Sequence, residues 1–127
     1  MPSHARPLSP HLSIYRFTLT MLMSILHRAT GIGLYAGTAL LAIWFVAAAF
    51  GDDALDIVHL VYGSWIGQII LFLATWALFH HLLGGLRHFL WDTGRGLSRE
   101  QRFGLSWAAA IGGIVLTLLA WAIFVWF

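Results

Sequence analysis

The stretch Phe79-His80-His81-Leu82-Leu83-Gly84-Gly85-Leu86-Arg87-His88-Phe89-Leu90-Trp91-Asp92 decides how this chain is read. It sets histidines and an arginine inside, or at the end of, an otherwise apolar helix. Ionisable side chains at membrane depth are costly, so they hold a partner or a ligand. The rest of the chain establishes that depth. Of 127 residues, 60% are hydrophobic and 9% charged, far too apolar for a soluble domain of this size. Three runs are long and apolar enough to cross a bilayer of roughly 30 Å: Thr30 to Phe50, Val61 to Leu83 with helix continuing to Leu90, and Leu105 to Phe127. The expected fold is all-α. A single membrane-anchor domain over residues 1–127 forms a three-transmembrane-helix bundle, with residues 1–29 an extended or amphipathic arm and interfacial helix start.

Composition also excludes. With no cysteine, the chain itself forms no disulfide, thiolate metal site or iron–sulfur cluster. A formal charge of +2 and no soluble basic face leave no basis for binding nucleic acid. Ala47-Ala48-Ala49 before Gly51 resembles a signal-cleavage site. The preceding arm is too long, however, and the apolar run exceeds the roughly 7–15 residues of a signal-peptide core, so no cleavage is expected. Arg6, Arg16 and Arg28 precede the first run, and Arg87, Arg95, Arg99 and Arg102 fall between the second and third. The first connecting loop, Gly51 to Asp56, carries only Asp52, Asp53 and Asp56. Basic residues mark the cytoplasmic or matrix side, so the N-terminus is expected inside and the C-terminus outside.

Gly33 with Gly37, and Gly63 with Gly67, read as small residues that let helices approach closely in lipid. A more specific stripe runs from Ala74 through Ala77, His81, Gly84 and Gly85 to His88 on one helical face. A histidine bonded to a neighbouring helix would account for His81 alone. The small residues a turn to either side favour a flat ligand lying beside the helix, with His81 as an axial ligand of haem. His88 lies about 10.5 Å further along the helix and points the same way, so it cannot ligate the opposite face. His59 is about 33 Å off if the helix is continuous, and His80 is turned about 100° from His81. His27, near the start of helix one, looks too shallow, because His81 lies about 15 Å deeper than Trp91. The second ligand is therefore expected from another chain.

Ser24 and Arg28 share a face one turn apart at the membrane boundary. A hydroxyl and a guanidinium there can hydrogen-bond a quinone carbonyl or a haem propionate. By spacing alone, a capping or back-bonding serine and an arginine snorkelling to lipid headgroups explain them better. The arm Arg6-Pro7-Leu8-Ser9-Pro10-His11-Leu12-Ser13-Ile14-Tyr15-Arg16 has prolines and no period, and reads as extended chain lying on a partner. Trp91-Asp92-Thr93-Gly94-Arg95-Gly96 ends the second helix with glycine stop signals.

The arm motif, then Ser24-Ile25-Leu26-His27-Arg28 with Thr30-Gly31, then His81 with Gly85-Leu86-Arg87-His88 and Trp91-Asp92-Thr93-Gly94, closely resembles the large cytochrome b membrane-anchor subunit of succinate dehydrogenase, respiratory complex II, in its alphaproteobacterial and mitochondrial branch. The resemblance spans nearly the whole chain. It implies a multi-pass protein of the bacterial cytoplasmic membrane, acting in electron transport and the tricarboxylic acid cycle. Its partners would be a flavoprotein subunit, an iron–sulfur subunit and a second, smaller anchor, with the soluble partners on the cytoplasmic side and membrane lipids around the helices. One haem b would be shared with the smaller anchor, which supplies the other axial histidine, and ubiquinone would be the substrate. By the same resemblance His81 is the haem iron ligand, Ser24 and Arg28 line the quinone pocket, and His27, Arg28 and His88 lie near the haem propionates. No catalysis is expected from the isolated chain. His80 has no counterpart and reads as a packing or polar helix–helix contact. The alternatives are a purely structural anchor and a fumarate-reductase-type cytochrome b; a transporter is disfavoured, because the helices show no inverted repeat.

Overall fold

The computed structural model describes residues 16–124; the proline-containing arm ahead of Arg16 and the last three residues lie outside the described residues. Four helices follow one another: α1 (Leu19–Phe50), α2 (Asp52–Gly63), α3 (Trp65–Asp92) and α4 (Arg99–Phe124). Among the described residues there is no strand. Three of these helices, α1, α3 and α4, are long and apolar enough to span a membrane.

Each boundary has a local cause. The Thr18 hydroxyl accepts from the Met21 amide at 3.4 Å and caps α1. Helix one thus begins well ahead of the apolar run at Thr30. At the other end Gly51 takes φ 105°, which an L side chain rarely adopts, and the chain turns at once into α2. The segment read as a loop is therefore helical: Asp52 and Asp53 occupy the first turn of α2, where carboxylates favour the helix dipole. The helix does not run unbroken from α2 into α3. It breaks at Ser64, whose hydroxyl caps α3 by accepting from the Gly67 amide at 3.1 Å. Gly94 and Gly96, both at positive φ, end α3. Ser98 and Gln101 then form a reciprocal capping box: the Gln101 amide donates to the Ser98 hydroxyl at 3.3 Å and the Ser98 amide to Gln101 Oε1 at 3.4 Å.

The α2–α3 elbow depends on Gly67. A methyl there would meet the Val61 carbonyl and would come within 2.6 Å of the Tyr62 carbonyl and 2.8 Å of the Tyr62 Cα, all backbone atoms that cannot rotate away. Tyr62 also ties the elbow to α1, donating its hydroxyl to the Leu40 carbonyl at 2.7 Å. Gly67→Ala is expected to cost about 1–3 kcal/mol through overpacking. A lowered midpoint for heat-induced loss of the assembled membrane domain checks this, and an unchanged midpoint counts against the tight elbow.

Helix α3 is central, with α4 on one side and α1 on the other. Toward α4 it buries His80, against Gly113, and Arg87, against Ser106, while Trp121 of α4 packs on Phe72 and donates to the Thr75 hydroxyl. Gly113 lets the backbones close in, since a Cβ there would sit 3.2 Å from the His80 Cα. The seam hydroxyls bond back into their own helix, Thr117 to the Gly113 carbonyl at 2.7 Å and Ser106 to the Arg102 carbonyl at 2.8 Å. Large apolar side chains such as Ile32, Tyr35, Phe89 and Phe124 face outward, as a lipid-facing surface requires.

Candidate functional site

The α1–α3 seam brings three histidines together. The His27 and His81 rings stack with centroids 4.0 Å apart and planes 12° from parallel. His88 tilts at 60° against His27, with a centroid distance of 5.3 Å. The expected mismatch in depth between His27 and His81 is overturned by the early start of α1. His27 lies about 12 Å inside the helix from Leu19, and His81 about 16 Å from the end of α3 at Asp92. The two levels nearly match.

Contact between these rings does not make them a ligand pair. Two axial ligands approach an iron from opposite sides, nitrogen toward nitrogen, whereas these rings lie face to face. The exclusion of a His27–His81 pair therefore stands on geometry rather than on depth.

His81 Nδ1 lies 3.0 Å from the His27 carbonyl oxygen. A carbonyl only accepts, so Nδ1 carries the proton and donates it. The Thr30 hydroxyl donates to the Leu26 carbonyl at 2.8 Å, with the His27 carbonyl at 3.0 Å as a second acceptor. That leaves its lone pairs facing His81 Nδ1 at 3.4 Å. The ring is thus fixed in the tautomer whose Nε2 has a bare lone pair, and no side chain or backbone donor among the described residues bonds to that Nε2. Metal-binding histidines are held in this way, with the other ring nitrogen donating to a carbonyl or carboxylate. A haem fits this histidine.

The glycines have different tasks from those their spacing suggested. A methyl at Gly84 would overlap the His27 ring, so Gly84 makes room for His27. At Gly31 a Cβ would come within 3.0 Å of His81 Cε1. At Gly85 nothing lies within 4 Å of an added Cβ, which leaves the face beside His81 open. One turn beyond His81 begins a groove of about 370 Å³ between Gly33, Ala36 and Gly37 of α1 and Ala74 and Ala77 of α3, with larger apolar residues at its far end.

The remaining candidates divide. Ser24 is half-buried and Arg28 exposed on α1, and neither lines that groove. His27 is half-buried with its Nε2 enclosed and without a hydrogen-bond partner. His88 is exposed and edge-on to Trp91 at 5.2 Å. His80 faces α4, 1% exposed, stacked on Trp76 at 5.2 Å, with both ring nitrogens enclosed and unbonded. It is a packing residue; the polar contact expected as its alternative is absent. Among the described residues no group of three His, Asp or Glu could hold a bare metal ion.

Two features were not read from the sequence. Thr30 stood in a motif, but only its contact across the seam ties it to His81. Arg87 was placed inside or at the end of the second helix and counted with the inner-side arginines; its burial against α4, 5% exposed and donating from Nη1 to Ser106 Oγ at 3.0 Å, was not read.

A family model for the succinate dehydrogenase/fumarate reductase transmembrane subunit matches residues 2–121. The chain is 45% identical over 119 residues to the succinate dehydrogenase cytochrome b556 subunit of Paracoccus denitrificans, covering 94% of this chain and 92% of that one. It is 36% identical over 116 residues to the cytochrome b556 subunit of Rickettsia bellii, covering 91% and 90%. To the mitochondrial cytochrome b560 subunit of Mus musculus it is 35% identical over 120 residues, covering 93% and 69%.

Proposed function

The chain belongs to the succinate dehydrogenase/fumarate reductase transmembrane subunit family, and from that premise we propose that it is the larger, haem-carrying anchor of a succinate:ubiquinone oxidoreductase. The observation that carries this reading is the Nδ1 bond of His81 to the His27 carbonyl, which aims a bare Nε2 away from the chain's own donors. The relatives are named cytochrome b subunits, which agrees with one haem b at this position. His81 would hold the haem iron through Nε2, and a smaller anchor subunit would supply a second histidine.

When bound, the haem supplies a low-spin centre that holds one electron and, with two histidine ligands, has no open position for oxygen. Around it this chain's residues bind and orient. Gly85 and the small side chains of the α1–α3 groove leave space for a flat ring. His27, Arg28 and His88 present donors to its carboxylates at the arginine-rich end. Ubiquinone is reduced near Ser24 and Arg28 by electrons from the iron–sulfur partner. The Ser24 hydroxyl donates to one quinone oxygen, and Arg28 stabilises the negative charge that develops as the ring is reduced. Flavoprotein and iron–sulfur partners dock on the cytoplasmic side of the bacterial inner membrane.

The test is a reduced-minus-oxidised optical spectrum of the assembled complex. His81→Ala is expected to abolish the b-type signal, whereas His80→Ala leaves it. A signal that survives in His81→Ala overturns the assignment.

A further inference from the structure

Arg87 is a charged side chain inside the helix bundle, and the haem and quinone readings make no use of it. Its Nη1 donates to Ser106 Oγ at 3.0 Å, and its guanidinium carbon lies 4.8 Å from the Trp91 ring centroid. Among the described residues no carboxylate pairs with it: its polar partner is a neutral hydroxyl. Nε is enclosed and unbonded, while Nη2 is neither enclosed nor bonded. A guanidinium that is 5% exposed and lacks an anion is an expensive arrangement at the edge of a bilayer.

Beside it lies an open groove of about 270 Å³ between α3 and α4. Apart from Arg87 its walls are entirely apolar, formed by Leu83, Leu86 and Leu90 on one side and Leu105, Ala108 and Ala109 on the other. The groove is on the opposite flank of α3 from His81. Arg102 lies one turn before Ser106 on α4, and Arg95 in the connection between the two helices. An apolar trough with an unpaired cation at the polar end matches an acyl chain beneath a phosphate, and basic pockets between transmembrane helices on the positively charged side bind anionic headgroups.

We propose that this α3–α4 groove is a binding site for one anionic phospholipid, whose phosphate pairs with Arg87 and whose acyl chain lies against Leu86, Leu90 and Leu105. A carboxylate from a partner subunit is the competing anion. The apolar walls favour the lipid, because a protein side chain would leave the trough below it unfilled.

The test uses the detergent-purified complex with phosphatidylglycerol or phosphatidylcholine added, and native mass spectrometry to count retained lipid. Wild type is expected to retain phosphatidylglycerol over phosphatidylcholine by about fivefold, the value of one cation near an anionic headgroup. Arg87→Gln removes that preference. Ala108→Phe, which fills the exposed side of the groove without touching Arg87, lowers retention of both lipids. If Arg87→Gln prevents folding, the Ala108→Phe result decides alone. Equal retention of the two lipids by wild type overturns the proposal, as does unchanged retention in Ala108→Phe. Loss of the soluble subunits from Arg87→Gln with phosphatidylglycerol preference intact also overturns it, and assigns Arg87 to a partner's carboxylate.

Discussion

Alanine at Gly84 destabilises the α1–α3 seam by about 1–3 kcal/mol, and removing the His27 ring in the same chain restores most of that loss. The reason is steric and local. The added methyl overlaps the His27 ring, and that ring is already held between His81 and His88. It cannot rotate away without breaking the stack. A main-chain shift at His27 would carry its carbonyl away from His81 Nδ1, so haem retention falls together with stability. His27→Ala alone keeps the carbonyl, because that group belongs to the backbone. The double variant His27→Ala/Gly84→Ala has space for the methyl and recovers the seam. Haem content per assembled complex after mild heating is the measurement. Strictly additive losses in the double variant would show that Gly84 does not act through His27.

Arg28→Leu is expected to lower succinate-dependent ubiquinone reduction about 100-fold, the usual consequence of removing one donor from developing negative charge. Succinate oxidation with an artificial dye stays near wild type, since the dye takes electrons before they reach the membrane subunits. The haem is retained, since His81 and not Arg28 holds it, but its signal shifts as one donor to the haem carboxylates is lost. Lysine at position 28 restores part of the rate, retaining charge but not the planar fork of donors. Equal loss of dye-coupled and quinone-coupled activity would make Arg28 an assembly residue.

The membrane spans were legible in the sequence because length and apolarity alone decide them; the Ser98–Gln101 cap, which starts α4 ahead of the apolar run at Leu105, was not read. Helix α2 was not legible. Its aspartates match a loop as well as a helical first turn, and only Gly51 and Ser64, acting as a bend and a cap, delimit it. For the site, the stripe through His81 lies on the face of α3 that turns toward α1. Counting from the apolar run put His27 too near the helix end; the capping hydroxyl of Thr18, outside that run, moves the start of α1 to Leu19. Gly84 was read as clearance for the haem; the ring it makes room for is that of His27, on the other helix, and a one-dimensional pattern does not name it. Arg87 could have been found by the same wheel that separated His80 from His81, since residues 80, 84 and 87 share one face.

The two seams of α3 close loops of unequal length. Arg87 and Ser106 are 19 residues apart in the chain, whereas His81 and His27 are 54 apart. Ring-closure entropy rises by about 0.6 kcal/mol for each doubling of a loop, so the α3–α4 hairpin is the cheaper contact to form. Its connection is also stapled, with Trp91 donating to the Gly96 carbonyl at 3.1 Å. Of the two seams, the cleft that carries His81 is therefore the costlier to hold shut, and the one that opens first when the bundle loosens.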